Sequence, residues 1–145
     1  MKTHPADHVR HVLTAHFPHA QIRLLDSSYA TLTSKAWAKV HTDFIARMWG
    51  KDLNEWLAEQ GDCDNWSWLL RADVIERNWQ QHGSRVPVAC YYIHYTTRDG
   101  VYHAANAAVV CEVERLSVLT IEPQPAGGII TLTPQERASC DLCIG

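Results

Sequence analysis

The hydrophobic pattern of the chain changes at Gly83, and this change limits the possible folds more than any other feature. Before Gly83, apolar residues recur at the three-to-four-residue spacing of amphipathic helices. After it, β-branched and aromatic runs alternate with turn signals, as in strands. Helices followed by strands predict an α+β fold with helices covering an antiparallel sheet. The 145 residues contain no repeat or linker, so we expect a single domain over 1–145.

Local signals divide the chain into elements. Helical periodicity and capping residues predict helices at 5–17, 34–50, 52–61 and 64–81, and a short C-terminal helix after Thr133. Strands are expected at 21–26, 86–96, 101–110, 116–123 and 129–132. The predicted helix at 64–81 carries the most extensive apolar surface, so we expect it to be the central helix packed on the sheet.

Composition excludes several classes of function. The formal net charge is -3 and the pI about 6.3, so neither nucleic acid nor an anionic membrane is an expected partner. No apolar run reaches the roughly 18 residues of a membrane span. The polar segment 1–7 lacks the apolar core of a secretory signal, so we expect a cytoplasmic or phage-associated protein. Five cysteines without such a signal argue against a disulfide framework.

One cysteine is placed for chemistry. Cys63 stands immediately before the predicted central helix, where the helix dipole favours a thiolate over a thiol. Cys90 and Cys111 lie inside apolar strand patterns and are expected to be inert. A base is needed beside a nucleophilic thiol. We prefer His103 to His94, because small residues flank His103 and leave room for another element or a substrate.

A third group should orient His103. Asn106 follows it by three residues, so in a regular strand its side chain points to the opposite face. Glu122 fits better: an antiparallel hairpin centred between Glu112 and Val113 would place Glu122 directly opposite His103. A carboxylate there would set the tautomer of the imidazole and favour its protonated form.

These residues fall in three motifs, Asp62-Cys63-Asp64-Asn65-Trp66, His103-Ala104-Ala105-Asn106 and Ile121-Glu122-Pro123-Gln124. Over 29–132, leaving the N-terminal helix in 1–20 outside, the chain resembles the papain-like C-terminal protease domain of mushroom agglutinins and related phage and bacterial proteins. The resemblance implies a papain-like fold and a triad of Cys63, His103 and Glu122. Asn106 and Gln124 are secondary candidates. It also implies calcium, for which Asp64 and Asn65 could be ligands.

The function predicted from these observations is a cysteine hydrolase, foremost a peptidase, acting on a peptide or protein substrate. The backbone N–H of Cys63 and the side chain of Gln60 would stabilise the oxyanion. Beyond the calcium that the resemblance implies, the sequence requires no cofactor. The alternative is a non-catalytic phage- or prophage-type binding or structural module on the same fold. A weaker third option is a metal-binding domain that uses Cys63 and His103.

Two other patterns are given structural interpretations. His4, His8 and His11 share one sector of the first helix, which is typical of a solvated face. Cys140 and Cys143 have the spacing of a metal knuckle, but no second cysteine pair completes a zinc site. Of the tryptophans after Cys63, we expect one of Trp66 and Trp68 in the core and the other beside a groove.

Overall fold

In the computed structural model the described residues are 1–50, 62–83 and 85–145, without the side chains of residues 49, 50 and 82. The helix predicted at 52–61 lies outside them. The helices are α1 (Ala6–His16), α2 (Ser34–Gly50), α3 (Cys63–His82) and α4 (Pro134–Ser139). The strands are β1 (Lys2–Pro5), β2 (Gln21–Arg23), β3 (Ser28–Thr31), β4 (Cys90–Thr96), β5 (Tyr102–Glu112), β6 (Arg115–Glu122), β7 (Gly128–Ile130) and β8 (Leu142–Ile144).

The described strands form two sheets. β1 pairs with β3, and the larger sheet has the order β2-β8-β4-β5-β6-β7. Its pairings are antiparallel except that of β2 with β8, which is parallel. The predicted mixture of helices with a largely antiparallel sheet is therefore confirmed. No helix among the described residues is long and apolar enough to cross a membrane.

The larger sheet is buried on both faces. Odd-numbered residues of β5, such as Ala105 and Ala107, pack in a core cluster with α1. Even-numbered residues, such as Ala108 and Val110, pack in a second cluster with α2 and α3. Alternation of side chains along a strand produces this division. The small alanine side chains allow the helices on both sides to approach β5 closely.

The boundaries of α3 follow from local capping. The side chain of Asp62 accepts a hydrogen bond from the backbone N–H of Asn65 at 3.3 Å, so Cys63 becomes the first helical residue. Gly83 ends the helix in the left-handed region, with φ of 56°. The helix thus begins one residue earlier than predicted, and Cys63 lies inside its first turn rather than before it.

The hairpin that joins β5 to β6 differs from the prediction. Glu112 pairs with Arg115, and the turn residues Val113 and Glu114 both have positive φ, 43° and 69°. The centre of the hairpin therefore lies one residue later than expected. The predicted register, with Glu122 directly opposite His103, is wrong, because a turn without an Asn-Gly or similar signal gave no local information about its position.

Three short strands, β1, β3 and β8, were not predicted. β8 lies between β2 and β4 in the larger sheet, so the C-terminal segment is part of its interior. Cys140 and Cys143, on either side of its start, are fully buried in the cluster that contains α1. Burial raises the pKa of Cys140 to about 12. Both sulfurs therefore belong to the apolar core.

Candidate active site

The thiol of Cys63 lies where β5 and β6 separate. The last pair of the β5–β6 ladder is Asn106 with Ile121. The N–H of Val109 points towards β4, where it donates to the carbonyl of Ala89 at 3.1 Å. Even-numbered N–H groups of β5 therefore point to the β6 side. Beyond the end of the ladder the N–H of Ala104 has no partner in β6, and it donates to Sγ of Cys63 at 3.3 Å.

The sequence predicted surroundings that favour a thiolate at Cys63. The electrostatic surroundings in the structure favour the thiol instead. Partial burial raises the pKa of the Cys63 thiol, and the nearby carboxylates of Asp64 and Asp62 raise it further. The hydrogen bond from Ala104 acts in the opposite direction. The position at the helix N-terminus is as predicted, but desolvation and two adjacent negative charges outweigh its effect.

His103 and Glu122 are bonded to each other. Nε2 of His103 and Oε2 of Glu122 are 2.6 Å apart, and the two side chains are 20% and 17% exposed. The bond to the Glu122 carboxylate raises the pKa of His103, against the lowering effect of burial. The observed pairing of β5 with β6 is shifted by two residues from the predicted pairing. A shift of two residues does not change the face of the sheet from which a side chain projects, so Glu122 lies on the predicted face. It lies diagonal to His103 rather than opposite, still within reach.

The thiol of Cys63 lies close to the backbone of His103. Ala104, whose N–H contacts Sγ of Cys63, directly follows His103, and peptide geometry places that nitrogen about 2.4 Å from the Cα of His103. Sγ is therefore at most about 6 Å from that Cα. Nδ1 is the ring nitrogen that Glu122 does not use, and no hydrogen bond within the described residues joins it to Sγ. The edge of the ring packs on Tyr95, with centroids 5.6 Å apart.

The secondary candidates have other positions. Asn106 points away from His103, as expected, and its Nδ2 donates to the carbonyls of Ser67 at 3.1 Å and Tyr91 at 3.4 Å. It is fully buried and ties α3 to the sheet. Gln124 contributes its backbone N–H, which donates to Oε1 of Glu122 at 3.4 Å. Gln60 lies outside the described residues.

A second polar network adjoins the thiol, and sequence reasoning missed it. Oδ1 of Asp64 accepts from the hydroxyl of Tyr92 at 2.8 Å and lies 3.2 Å from Nε2 of His94. Nδ1 of His94 is 3.0 Å from the hydroxyl of Tyr102, which donates to Asp141 at 2.8 Å. Alternation along the strands could have indicated this network. The side chains of Tyr92, His94 and Tyr102 all project from the face of the sheet that carries α3.

Aromatic side chains extend this network towards solvent. Trp68 is 44% exposed and stacks on Tyr92, with ring centroids 4.5 Å apart and planes at 12°. Trp66 is buried and meets Phe44 edge-on in the core. The prediction that one of these two tryptophans lies in the core is confirmed for Trp66. Two cavities of about 220 and 390 Å³ lie elsewhere, and none of the triad residues lines them.

The described residues do not fit the implied calcium site. Oδ1 of Asp64 is already an acceptor for Tyr92 and adjoins His94. Calcium requires six to eight oxygen ligands, whereas Asp64 and Asn65 are the two ligands implied here. Within the described ranges no group of three His, Cys, Asp or Glu residues could hold a metal ion. A metal site built on Cys63 and His103, the third option from the sequence, would likewise lack a third such ligand among the described residues.

Comparison with known proteins gives a fold and no sequence family. No family model matches the chain, and no curated protein does. A solved complex of PSL1a, a lectin of Polyporus squamosus, with E-64 superposes with a TM-score of 0.70 at 17% identity. The match covers 99% of this chain and 51% of the other. The fold is that of about half of a mushroom lectin.

A second structure gives the same result. Polyporus squamosus lectin bound to the human-type influenza-binding epitope Neu5Aca2-6Galb1-4GlcNAc matches with a TM-score of 0.67 and 18% identity. The match covers 99% of this chain and 49% of the lectin. The expected link to mushroom agglutinins is therefore confirmed for the fold. It extends beyond 29–132 to nearly the whole chain, and so includes α1 and β8.

Proposed function

We propose that this chain is a cysteine hydrolase with a papain-like arrangement, acting on amide bonds in peptides or proteins. Cys63 is the nucleophile, His103 carries the proton and Glu122 orients His103. The observation that carries the proposal is the 2.6 Å bond between His103 and Glu122, one residue from the backbone N–H that contacts Sγ of Cys63. These three residues come from α3, β5 and β6, and a nucleophile, a base and an orienting group are what cysteine catalysis requires.

The proposed reaction assigns a step to each residue. Because Glu122 binds Nε2, Nδ1 is the ring nitrogen left to accept the proton of the Cys63 thiol, and the sulfur then attacks the carbonyl carbon. The tetrahedral intermediate collapses, the C–N bond breaks, and the imidazolium gives its proton to the leaving amine. Water then hydrolyses the thioester, releasing the acid and restoring the thiol. The N–H of Cys63, in the first turn of α3, lies outside the i→i−4 ladder of the helix and is the proposed donor to the oxyanion.

The charges around Cys63 explain why the proposed mechanism needs His103 as a base. Burial and the carboxylates of Asp64 and Asp62 raise the pKa of Cys63, so the thiol by itself is largely protonated at neutral pH. A partner that accepts the proton is therefore required. Glu122 raises the pKa of His103 and so favours the imidazolium that would balance the thiolate.

One of the comparisons supports this proposal. E-64, which is bound in the PSL1a complex, is a thiol-directed electrophile. The matched region is half of that protein and the identity is 17%. The comparison therefore supports only that a fold of this kind can be found in a protein that binds a thiol-directed inhibitor.

A non-catalytic binding module is the second candidate. The neighbours are known as lectins, and their names favour a glycan-binding module over a peptidase. In this chain the exposed Trp68 stacks on Tyr92 beside the hydroxyl of Tyr102 and the carboxylate of Asp141. Aromatic faces next to hydrogen-bonding groups are suited to sugar rings.

Labelling with E-64 separates the two candidates. For the hydrolase we expect one covalent adduct by intact-mass spectrometry at pH 7, assigned to Cys63 by peptide mapping and absent from Cys63→Ala. Cys111→Ala is the matched control, because Cys111 is also half-buried, and it should label like the wild type. His103→Ala should fold and label slowly. Absence of an adduct, together with saturable binding of the sialylated trisaccharide, would instead establish the binding module.

A further inference from the structure

The carboxylate of Glu122 is held at both oxygens. Oε2 is bonded to Nε2 of His103, and Oε1 accepts from the backbone N–H of Gln124 at 3.4 Å. Glu122 is also the last residue of β6, where it pairs with Gly128 of β7. The segment between them is therefore a tight turn that closes around the Glu122 side chain.

Gly127 makes this closure possible. Its N–H donates to the carbonyl of Gln124 at 2.8 Å, which brings the turn back over Glu122. A Cβ at this position would lie 2.3 Å from the backbone oxygen of Glu122, 2.5 Å from its Cγ and 2.8 Å from its Cβ. Gly127 does not have a positive φ, unlike Gly128. The requirement at residue 127 is therefore for space and not for an unusual backbone conformation.

The overlap cannot be relieved locally. The closest atom is a backbone oxygen, so rotation of the Glu122 side chain alone would leave the shortest contact in place. The preceding residue, Ile121, is fully buried and paired with Asn106. An added methyl group must therefore displace the end of β6 or the turn itself by roughly 1 Å, since carbon and oxygen atoms pack at about 3.5 Å.

We propose that Gly127 is a positioning residue for the Cys63-His103-Glu122 site. Its missing side chain lets the 122–127 turn hold the Glu122 carboxylate against His103. The catalytic meaning of this assignment rests on the proposed hydrolase function, whereas the geometric part does not. Gln124 contributes through its main chain, because its backbone N–H is the donor to Glu122.

The test compares Gly127→Ala with a control in the same turn. The control, Ala126→Ser, changes an exposed neighbour. The pKa of His103 is measured by NMR titration, with its ring signals assigned from a His103→Gln spectrum. We expect it to fall towards the ordinary histidine value in Gly127→Ala and to stay raised in Ala126→Ser. Circular dichroism verifies that the variants are folded.

The rate of E-64 labelling supplies the functional readout. Displacement of a supporting group by about 1 Å can cost about a hundredfold in rate, so a loss of that order is expected for Gly127→Ala, with the Ala126→Ser control unchanged. If Gly127→Ala does not fold, Pro125→Gly, which loosens the turn without adding atoms, should change both readouts in the same direction by less. An unchanged pKa of His103 in folded Gly127→Ala, or in Pro125→Gly when Gly127→Ala is unfolded, would overturn the assignment.

The two proposals can fail separately. If the wild type does not react with E-64 but the pKa of His103 falls in Gly127→Ala, the positioning role stands and the hydrolase proposal does not. If the wild type reacts and neither readout responds to Gly127→Ala, the hydrolase stands and the role of Gly127 is refuted.

Discussion

Replacement of Glu122 by glutamine isolates the charge of the His103–Glu122 bond, because the size of the side chain and one acceptor oxygen are retained. The bond is 2.6 Å long between side chains that are 20% and 17% exposed, so solvent screens it less than a surface pair. Hydrogen bonds to charged groups contribute about 1.5–3 kcal/mol to stability. Since glutamine retains a weaker bond, we expect Glu122→Gln to lose about 1–2 kcal/mol where His103 is protonated.

The loss should depend on pH in a defined direction. Glu122 raises the pKa of His103, so the folded state binds the proton more tightly than the unfolded chain. The resulting stabilisation is complete below the unfolded pKa of about 6.5 and disappears as pH rises through the higher folded pKa. The difference between wild type and Glu122→Gln should therefore be large at pH 5.5 and small at pH 9.

Urea unfolding at the two pH values measures this difference. At pH 5.5 the expected loss corresponds to roughly 3–6 °C in Tm for a domain of this size. Glu76→Gln is the control, because Glu76 is exposed and accepts a hydrogen bond from Gln80 on its own helix at 2.9 Å. An equal loss at both pH values, or no loss at pH 5.5, would refute the argument that the carboxylate acts through the charge of His103.

Two further predictions concern the sheet. Asn106→Ala should destabilise the protein by about 2–3 kcal/mol in urea unfolding, because it removes the buried bonds to Ser67 and Tyr91 and leaves a cavity. Asn106 faces away from His103, so a changed pKa of His103 in this variant would contradict the structure. Iodoacetamide should leave Cys90 and Cys140 unmodified in the native protein, because burial raises the pKa of each to about 12, and should modify both in urea; mass spectrometry of native samples showing rapid reaction at either would count against the fold.

Local patterns were sufficient for the elements that contain their own signals. The central helix, the strands β4 to β7 and the short α4 were predicted to within a few residues. At α4 the complete capping box is present, with the side chain of Thr133 accepting from Glu136 at 3.2 Å and Glu136 bonding back to Thr133. A cap and an apolar period lie within one stretch of chain, so the sequence determines them without reference to the rest of the molecule.

The site shows the limit of that reasoning. Alternation along strands was enough to place His103 and Glu122 on one face and Asn106 on the other, and the bond between the first two was expected. The pairing of β5 with β6 was not, because the turn at Val113 and Glu114 has no local signal. The bond between His103 and Glu122 is nevertheless present, because a two-residue shift in strand pairing leaves each side chain on the same face of the sheet.

The sequence by itself determined the helices, most strands of the larger sheet and the identity of the three residues proposed for catalysis, since periodicity and capping act over a few neighbouring residues. Tertiary structure decided what surrounds them: the insertion of β8 between β2 and β4, the bonds between Asp64, Tyr92 and His94, and the contact of Gly127 with Glu122. Each depends on strand pairing or close packing between segments, and such contacts leave no periodic trace in either segment alone.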